Sequence, residues 1–175
     1  MKKILSLFIF SLVVLSASAQ IQTEFFGIKL AKSTKQEFTN ILNQKGIKFI
    51  EEVDETDADN ISIIVENLQY EGHTWPVVIF KFNLKFYHIA FVDNLDSKNQ
   101  KSLEASWKQI CKSILNKYPS YYKSEESDSE VLLFKDKDTT LFVAYGEVDG
   151  YKTLQLHYWD SYLKAFLDTL DELED

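Results

Sequence analysis

The sequence predicts an α+β fold of two layers: an antiparallel sheet with helices on one face. Three observations carry this. Runs of β-rich, alternating residues recur along the chain, and helical stripes of spacing three and four interrupt them. The turns between runs are too short for parallel crossovers, so neighbouring strands must be antiparallel. The order also repeats as a tandem unit, a helix followed by three strands, with a period of about 70 residues. Helices gathered on one face of such a sheet make a two-layer domain.

Residues 1–19 stand apart from this pattern. Lys2 and Lys3 precede a largely apolar run from Ile4 to Phe10, with Ser6 inside it, then Ser11, then Leu12 to Leu15. Ala17-Ser18-Ala19 supplies small residues for a peptidase. A basic start, an apolar stretch too short to span a bilayer and a cleavable end read as a secretory signal peptide, cut after Ala19. Residues 20–175 then form a single α+β domain of 156 residues, long enough for a real core.

Each element has its own signal. Phe25-Phe26-Gly27-Ile28 is a short strand or staple. Ser33-Thr34-Lys35-Gln36 reads as a capping box, with Ser33 as the cap, and opens a helix over 33–45. Phe38, Ile41 and Leu42 are its stripe, and Gly46 is its stop. Ile47 to Val53 begins as an extended stretch, and Glu51 to Asp59 is an acidic turn. Ile61 to Tyr70 alternates as a strand, and Glu71-Gly72-His73 turns the chain. Val77–Phe82 and Phe86–Val92 form a hairpin around Asn83-Leu84. A second helix at 100–117 carries Leu103, Trp107, Ile110, Ile114 and Leu115, and Tyr118-Pro119 ends it. Val131–Phe134, Thr140–Tyr145 and Tyr151–Trp159 are three strands, separated by Lys135–Asp138 and by Asp149-Gly150. Asp160 or Ser161 caps a last helix with Leu163, Phe166, Leu167 and Leu170 on one face.

Phe26-Gly27-Ile28-Lys29-Leu30, then Ser33-Thr34-Lys35-Gln36-Glu37-Phe38, then Leu42 and Lys45-Gly46, is a strand with glycine leading into a Ser-capped helix that ends in Lys-Gly. This pattern is similar to small exported bacterial proteins of the β-lactamase-inhibitor-like group, over about 25 residues. The resemblance implies a binding or scaffolding role in the cell envelope and carries no site residue across. The lipoproteins of that group have a Cys directly after the cleavage site. Here that position is Gln20, so no lipid anchor of that kind is expected.

Charge narrows the partners. The exported part has 17 basic and 27 acidic residues, a net charge of −10, and every basic residue is Lys. Without Arg forks or a basic face, nucleic acid and anionic membranes are not expected partners. Cys111 is the one cysteine, so no internal disulfide is expected.

Chemistry is sparse. His73, His88 and His157 are the only histidines. His88 and His157 fall in strands and can approach across a sheet, but no two histidines sit at ligand spacing such as i, i+4. A hydrogen-bonded sheet histidine is the expectation, and neither a metal nor a cofactor is assigned. Asp54, Asp57 and Asp59 do not complete a calcium loop, because Ser62 stands where glycine is needed and Leu68 where the closing glutamate is needed. Cys111 lies on the apolar stripe of the second helix and reads as a buried hydrophobe, not a nucleophile. No Gly-x-Ser-x-Gly elbow is present.

Aromatics are the remaining signal, 25 of 175 residues. Most alternate along strands and belong to the core. Trp75, beside Pro76, and Tyr118, Tyr121 and Tyr122, around Pro119, fall at turn signals, so these four are the candidate binding residues. The expectation is a non-enzymatic, periplasmic or released protein that holds a protein partner through a sheet face or these aromatics. A carbohydrate- or small-ligand-binding module and a hydrolase without a recognisable motif are the alternatives.

Overall fold

The computed structural model describes residues 20–95, 100–118, 131–148, 151–163 and 165. They form a sheet-rich α+β fold. In chain order the elements are β1 (Glu24–Phe25), β2 (Ile28–Lys29), α1 (Lys35–Gln44), β3 (Ile50–Val53), β4 (Asn60–Tyr70), β5 (His73–Asn83) and β6 (Lys85–Leu95). Then come α2 (Gln100–Lys117), β7 (Val131–Lys135), β8 (Thr139–Val148) and β9 (Tyr151–Asp160). β3 to β9 make one seven-stranded sheet in the order β3-β4-β5-β6-β9-β8-β7, and all its pairings are antiparallel.

That order has a simple logic. α1 leads a four-stranded meander, β3 to β6, and α2 leads a three-stranded one, β7 to β9. The last strands of the two meanders pair, from His88 with Trp159 to Leu95 with Lys152. The expected helix-plus-three-strand unit therefore appears after α2. After α1 there is one strand more, because the extended stretch after Gly46 also joins the sheet, Ile50 opposite Ile64 and Val53 opposite Ile61.

The hairpins follow their turn residues. Phe26 and Gly27, and again Glu71 and Gly72, all have positive φ. Two consecutive left-handed residues match the right-handed twist of paired strands, which is why glycine occupies the second site of both turns. Gly72 is also tight: a Cβ there would meet the Gln109 amide at 2.9 Å. Pro76 sits inside β5, a central strand, although it cannot donate to a ladder. The ladder accommodates it by passing from Glu66–Val77 to Leu68–Trp75 around the opposing Asn67, which takes φ 56.

The cap of α1 differs by one residue from the sequence reading. Thr34, not Ser33, accepts from Glu37 N–H at 3.3 Å, and the Glu37 carboxylate returns a bond to Thr34 N–H at 2.8 Å. Ser33 is engaged elsewhere, its hydroxyl accepting from Lys29 N–H at 3.1 Å. The far end closes as a Schellman motif: Ile47 N–H donates to Leu42 C=O at 3.0 Å and Gly46 N–H to Asn43 C=O at 3.1 Å, with Gly46 at φ 66.

Strand alternation divides the sheet into two faces. The inner face carries Ile63, Val65, Val78, Phe80, Phe82, Phe86, Ile89, Phe91, Leu141, Val143, Leu154, Leu156 and Tyr158, all essentially fully buried. Phe38 of α1 packs its ring 4.2 Å from that of Phe80, and Trp107 of α2 stacks 6.2 Å from Tyr145. Leu103, Ile110 and Ile114 complete the α2 stripe in the same core, whereas Leu115, which the spacing also put on the stripe, is 48% exposed. Residues 20–30 are part of it as well: Ile21, Phe25, Ile28 and Leu30 are buried, and Ala31 N–H donates to Phe86 C=O at 2.8 Å. At the far end of β9, Asp160 accepts from Leu163 N–H at 2.8 Å, capping a helical turn at 161–163. Phe166, Leu167 and Leu170 of the expected last helix lie outside the described residues.

Candidate functional site

Two of the aromatics expected at exposed turns are in the core. Trp75 is fully buried: its indole N–H donates to Tyr70 C=O at 3.1 Å, and its ring lies 5.4 Å from Phe91. The neighbouring proline was the misleading signal, since Pro76 continues the strand. Tyr118, 4% exposed, accepts from Gln22 N–H at 3.2 Å. Gln22 then takes a bond from Tyr70, whose hydroxyl lies 3.2 Å from that of Tyr158. Burial raises all three phenols above their ordinary range, so they act as neutral hydrogen-bonding groups. Tyr121 and Tyr122 lie outside the described residues.

The surface with the most character is the outer face of the sheet. Three cross-strand rows cover it. The middle row takes one residue from every strand: Ile50, Ile64, Ile79, Ala90, His157, Phe142 and Leu133. Six of these seven are apolar. On one side runs Glu66, Val77, Val92, Gln155, Ala144 and Val131. On the other runs Glu52, Ser62, Lys81, His88, Trp159, Thr140 and Lys135. Ile64, Ile79, Val77, Val92, Phe142 and Trp159 are half-buried and Ile50 is 53% exposed. At the β3 edge the face runs into a shallow groove of about 460 Å³, lined by Ile47, Lys48, Phe49, Ile50, Ile64, Glu66 and Asn67.

A polar line crosses the middle of this face. His157 Nε2 lies 3.0 Å from Gln155 Oε1, and His157 Nδ1 lies 3.0 Å from His88 Nε2. The amide oxygen can only accept, so His157 carries its proton on Nε2 and its Nδ1 accepts from His88. Phe142 stands 5.5 Å from the His157 ring and Trp159 stands 5.8 Å from that of His88. Burial, helped by the Lys81 cation, pushes His157 down to about 4, so its ring is neutral at physiological pH. The two histidines that the sequence placed in strands thus do meet across the sheet.

The other candidates have structural roles. His73 Nε2 lies 2.7 Å from the buried Asp93 Oδ2, tying the start of β5 to β6, and its ring packs edge-on against Trp75. Among the described residues Asp93 Oδ1 has no hydrogen-bond partner. Cys111 is half-buried against the core, and burial pushes its thiol up to about 12, far from a reactive thiolate. In the acidic turn, Asp54 accepts from Thr56 N–H at 2.8 Å and Asp57 from Asp59 N–H at 3.0 Å. These carboxylates close their own turn, and the bonds from Thr56 hold Asp54 below the usual carboxylate range. Among the described residues no three His, Cys, Asp or Glu side chains converge, and no helix is long and apolar enough to cross a membrane.

No protein family, curated protein or solved structure matches the chain.

Proposed function

We propose that this chain is an exported, non-enzymatic binding or scaffolding protein that holds a protein partner on the outer face of its sheet. The observation that carries the reading is the middle row, with apolar side chains from six of the seven strands, of which Ile50 is exposed, Ile64, Ile79 and Phe142 are half-buried and Ala90 and Leu133 are buried. A broad, shallow apolar strip suits a macromolecule, whereas a small ligand needs a concave pocket that buries most of its surface. The face also holds few charges for a chain so acidic, Glu52 and Glu66 against Lys81 and Lys135, so an approaching protein meets little charge to desolvate.

The reading includes a two-layer architecture, with α1 and α2 both on the inner face. The ring contacts of Phe38 with Phe80 and of Trp107 with Tyr145 support it, because both partners belong to inner rows. It includes export as well, on the strength of Lys2, Lys3, the apolar run and Ala17-Ser18-Ala19, and a periplasmic or released location without a lipid anchor. The likeness of residues 26–46 to β-lactamase-inhibitor-like proteins points to the same kind of role. Nucleic acid and membrane are not among the proposed partners.

A second reading has one observation in its favour. The groove beside Phe49 is large enough for a small ligand such as a sugar, with Glu66 as a polar contact. Affinity capture from envelope extract, run in parallel with the protein and with an Ile79→Lys variant, separates the two. A protein retained by the first and lost with the variant supports the outer face. Retention of no protein, together with binding of a sugar that a Phe49→Ala variant loses, supports the groove.

A further inference from the structure

We infer that the partner held on the outer face is a second copy of this chain, the two sheets packing face to face as a two-fold symmetric sandwich. The inference rests on the reading of that face as a protein-binding surface and names its occupant.

Charge is the first argument. The exported chain has a net charge of −10, so two copies repel one another in most orientations. The three rows of the outer face instead balance two glutamates, Glu52 and Glu66, with two lysines, Lys81 and Lys135. Symmetry is the second. β6 is the fourth of the seven strands, the middle of the sheet. A two-fold axis along it, in the plane of the interface, lays β3 on β7 of the second copy, β4 on β8 and β5 on β9. Each cross-strand row then lies on itself, reversed end to end. Glu52, at the β3 end of its row, faces Lys135 of the second copy, at the β7 end, and the pair forms twice. Both side chains are exposed. Lys81 comes over Trp159 of the second copy, a cation against an indole. In the middle row Ile64 meets Phe142 of the second copy. Because the axis follows the strands, the twist of one sheet follows that of the other, as in the aligned packing of β-sandwiches. Area is the third argument. Seven strands and three rows cover about 34 by 20 Å, so the pair buries on the order of 1,400 Å² in total. That lies within the range of specific complexes, about 1,200–2,000 Å². Leu133 and Thr140 are already buried and add little to it.

The test is sedimentation velocity of the purified protein from about 1 µM to about 500 µM, a span in which an interface of this size should be populated. A reversible monomer–dimer equilibrium is expected. Glu52→Lys and Lys135→Glu should each weaken it about tenfold or more, because each turns two attractive pairs into repulsive ones. The double variant restores opposite charges across the axis, so its dimer should return to within about threefold of the parent. Both changes fall on exposed side chains, and a merely structural role for either residue gives no such rescue. Ile79→Lys should abolish the dimer. A monomer at every concentration overturns the inference, as does a dimer that Ile79→Lys leaves intact or a double variant no better than the single ones. A monomer that retains a different protein from envelope extract, lost with Ile79→Lys, overturns the second copy while the reading of the outer face stands.

Discussion

Ile21 donates its backbone N–H to Asp136 Oδ2 at 3.0 Å, across 115 positions of sequence. The same carboxylate, through Oδ1, accepts from Asp138 N–H at 2.9 Å and Thr139 N–H at 2.7 Å. One side chain therefore closes the β7–β8 turn and pins the segment that begins at Gln20. Asp136→Ala leaves three amides without this acceptor and should cost about 2–3 kcal/mol, since bonds to charged groups contribute more than neutral ones. Urea denaturation of the variant checks it. A loss under about 0.5 kcal/mol would mean that the N-terminal segment is not held this way.

The core predictions concern two tryptophans. Trp107 packs α2 on the sheet and Trp75 fills the space beside Phe91, so each alanine substitution should cost roughly 3–5 kcal/mol. Were Trp75 a surface-binding residue, its substitution would leave the free energy of unfolding within about 0.5 kcal/mol of the parent.

The position of the cap is testable through coupling. Thr34→Ala should cost about 1 kcal/mol, and a double-mutant cycle with Glu37→Ala should show that the two are not additive. The corresponding cycle between Ser33 and Gln36 should be additive, because Ser33 serves the preceding turn. Non-additivity in the second cycle and not the first would restore Ser33 as the cap.

These cases show what could be read in the chain. The stripe of α2 and the runs of β5, β6, β8 and β9 were legible because their periods are unambiguous, and α2 spans the residues that its spacing predicts. The cap of α1 was ambiguous because Ser33-Thr34 offers two hydroxyls and Gln36-Glu37 two partners, and only the demand of Lys29 N–H on Ser33 decides between them. β3 was legible only as the beginning of an extended stretch at Ile47 to Val53, because the acidic run from Glu51 also reads as a turn; its strand character comes from pairing with β4. Trp75 was misplaced because Pro76 breaks most strands, and the compensating conformation of Asn67 is a tertiary fact. The outer face was out of reach for a related reason: its rows join residues up to about 100 positions apart, and register across β6 and β9 is not written in either strand alone.

His157 gives a pH dependence. Its folded value, about 4, lies below the ordinary histidine value of about 6.5. Between these values the unfolded chain takes up a proton that the folded chain refuses, so stability rises with pH. The contribution is fully present above about pH 6.5 and is lost as the pH falls towards 4, roughly 2–3 kcal/mol in all. His157→Gln should flatten the stability profile of the parent in this window. Parallel profiles for the two proteins between pH 4 and 6.5 would show that the ring is not desolvated as described.

The central claim, that the outer sheet face is where a protein partner is held, is tested most directly by side-chain footprinting of the complex captured from envelope extract. Hydroxyl-radical labelling of the free protein and of the complex should show protection of Ile64, Ile79, Val92 and Phe142. Exposed residues on α2, such as Leu115, should be labelled equally in both. Protection confined to α2 or to the segment around Glu24, with the middle row labelled as in the free protein, would contradict the account.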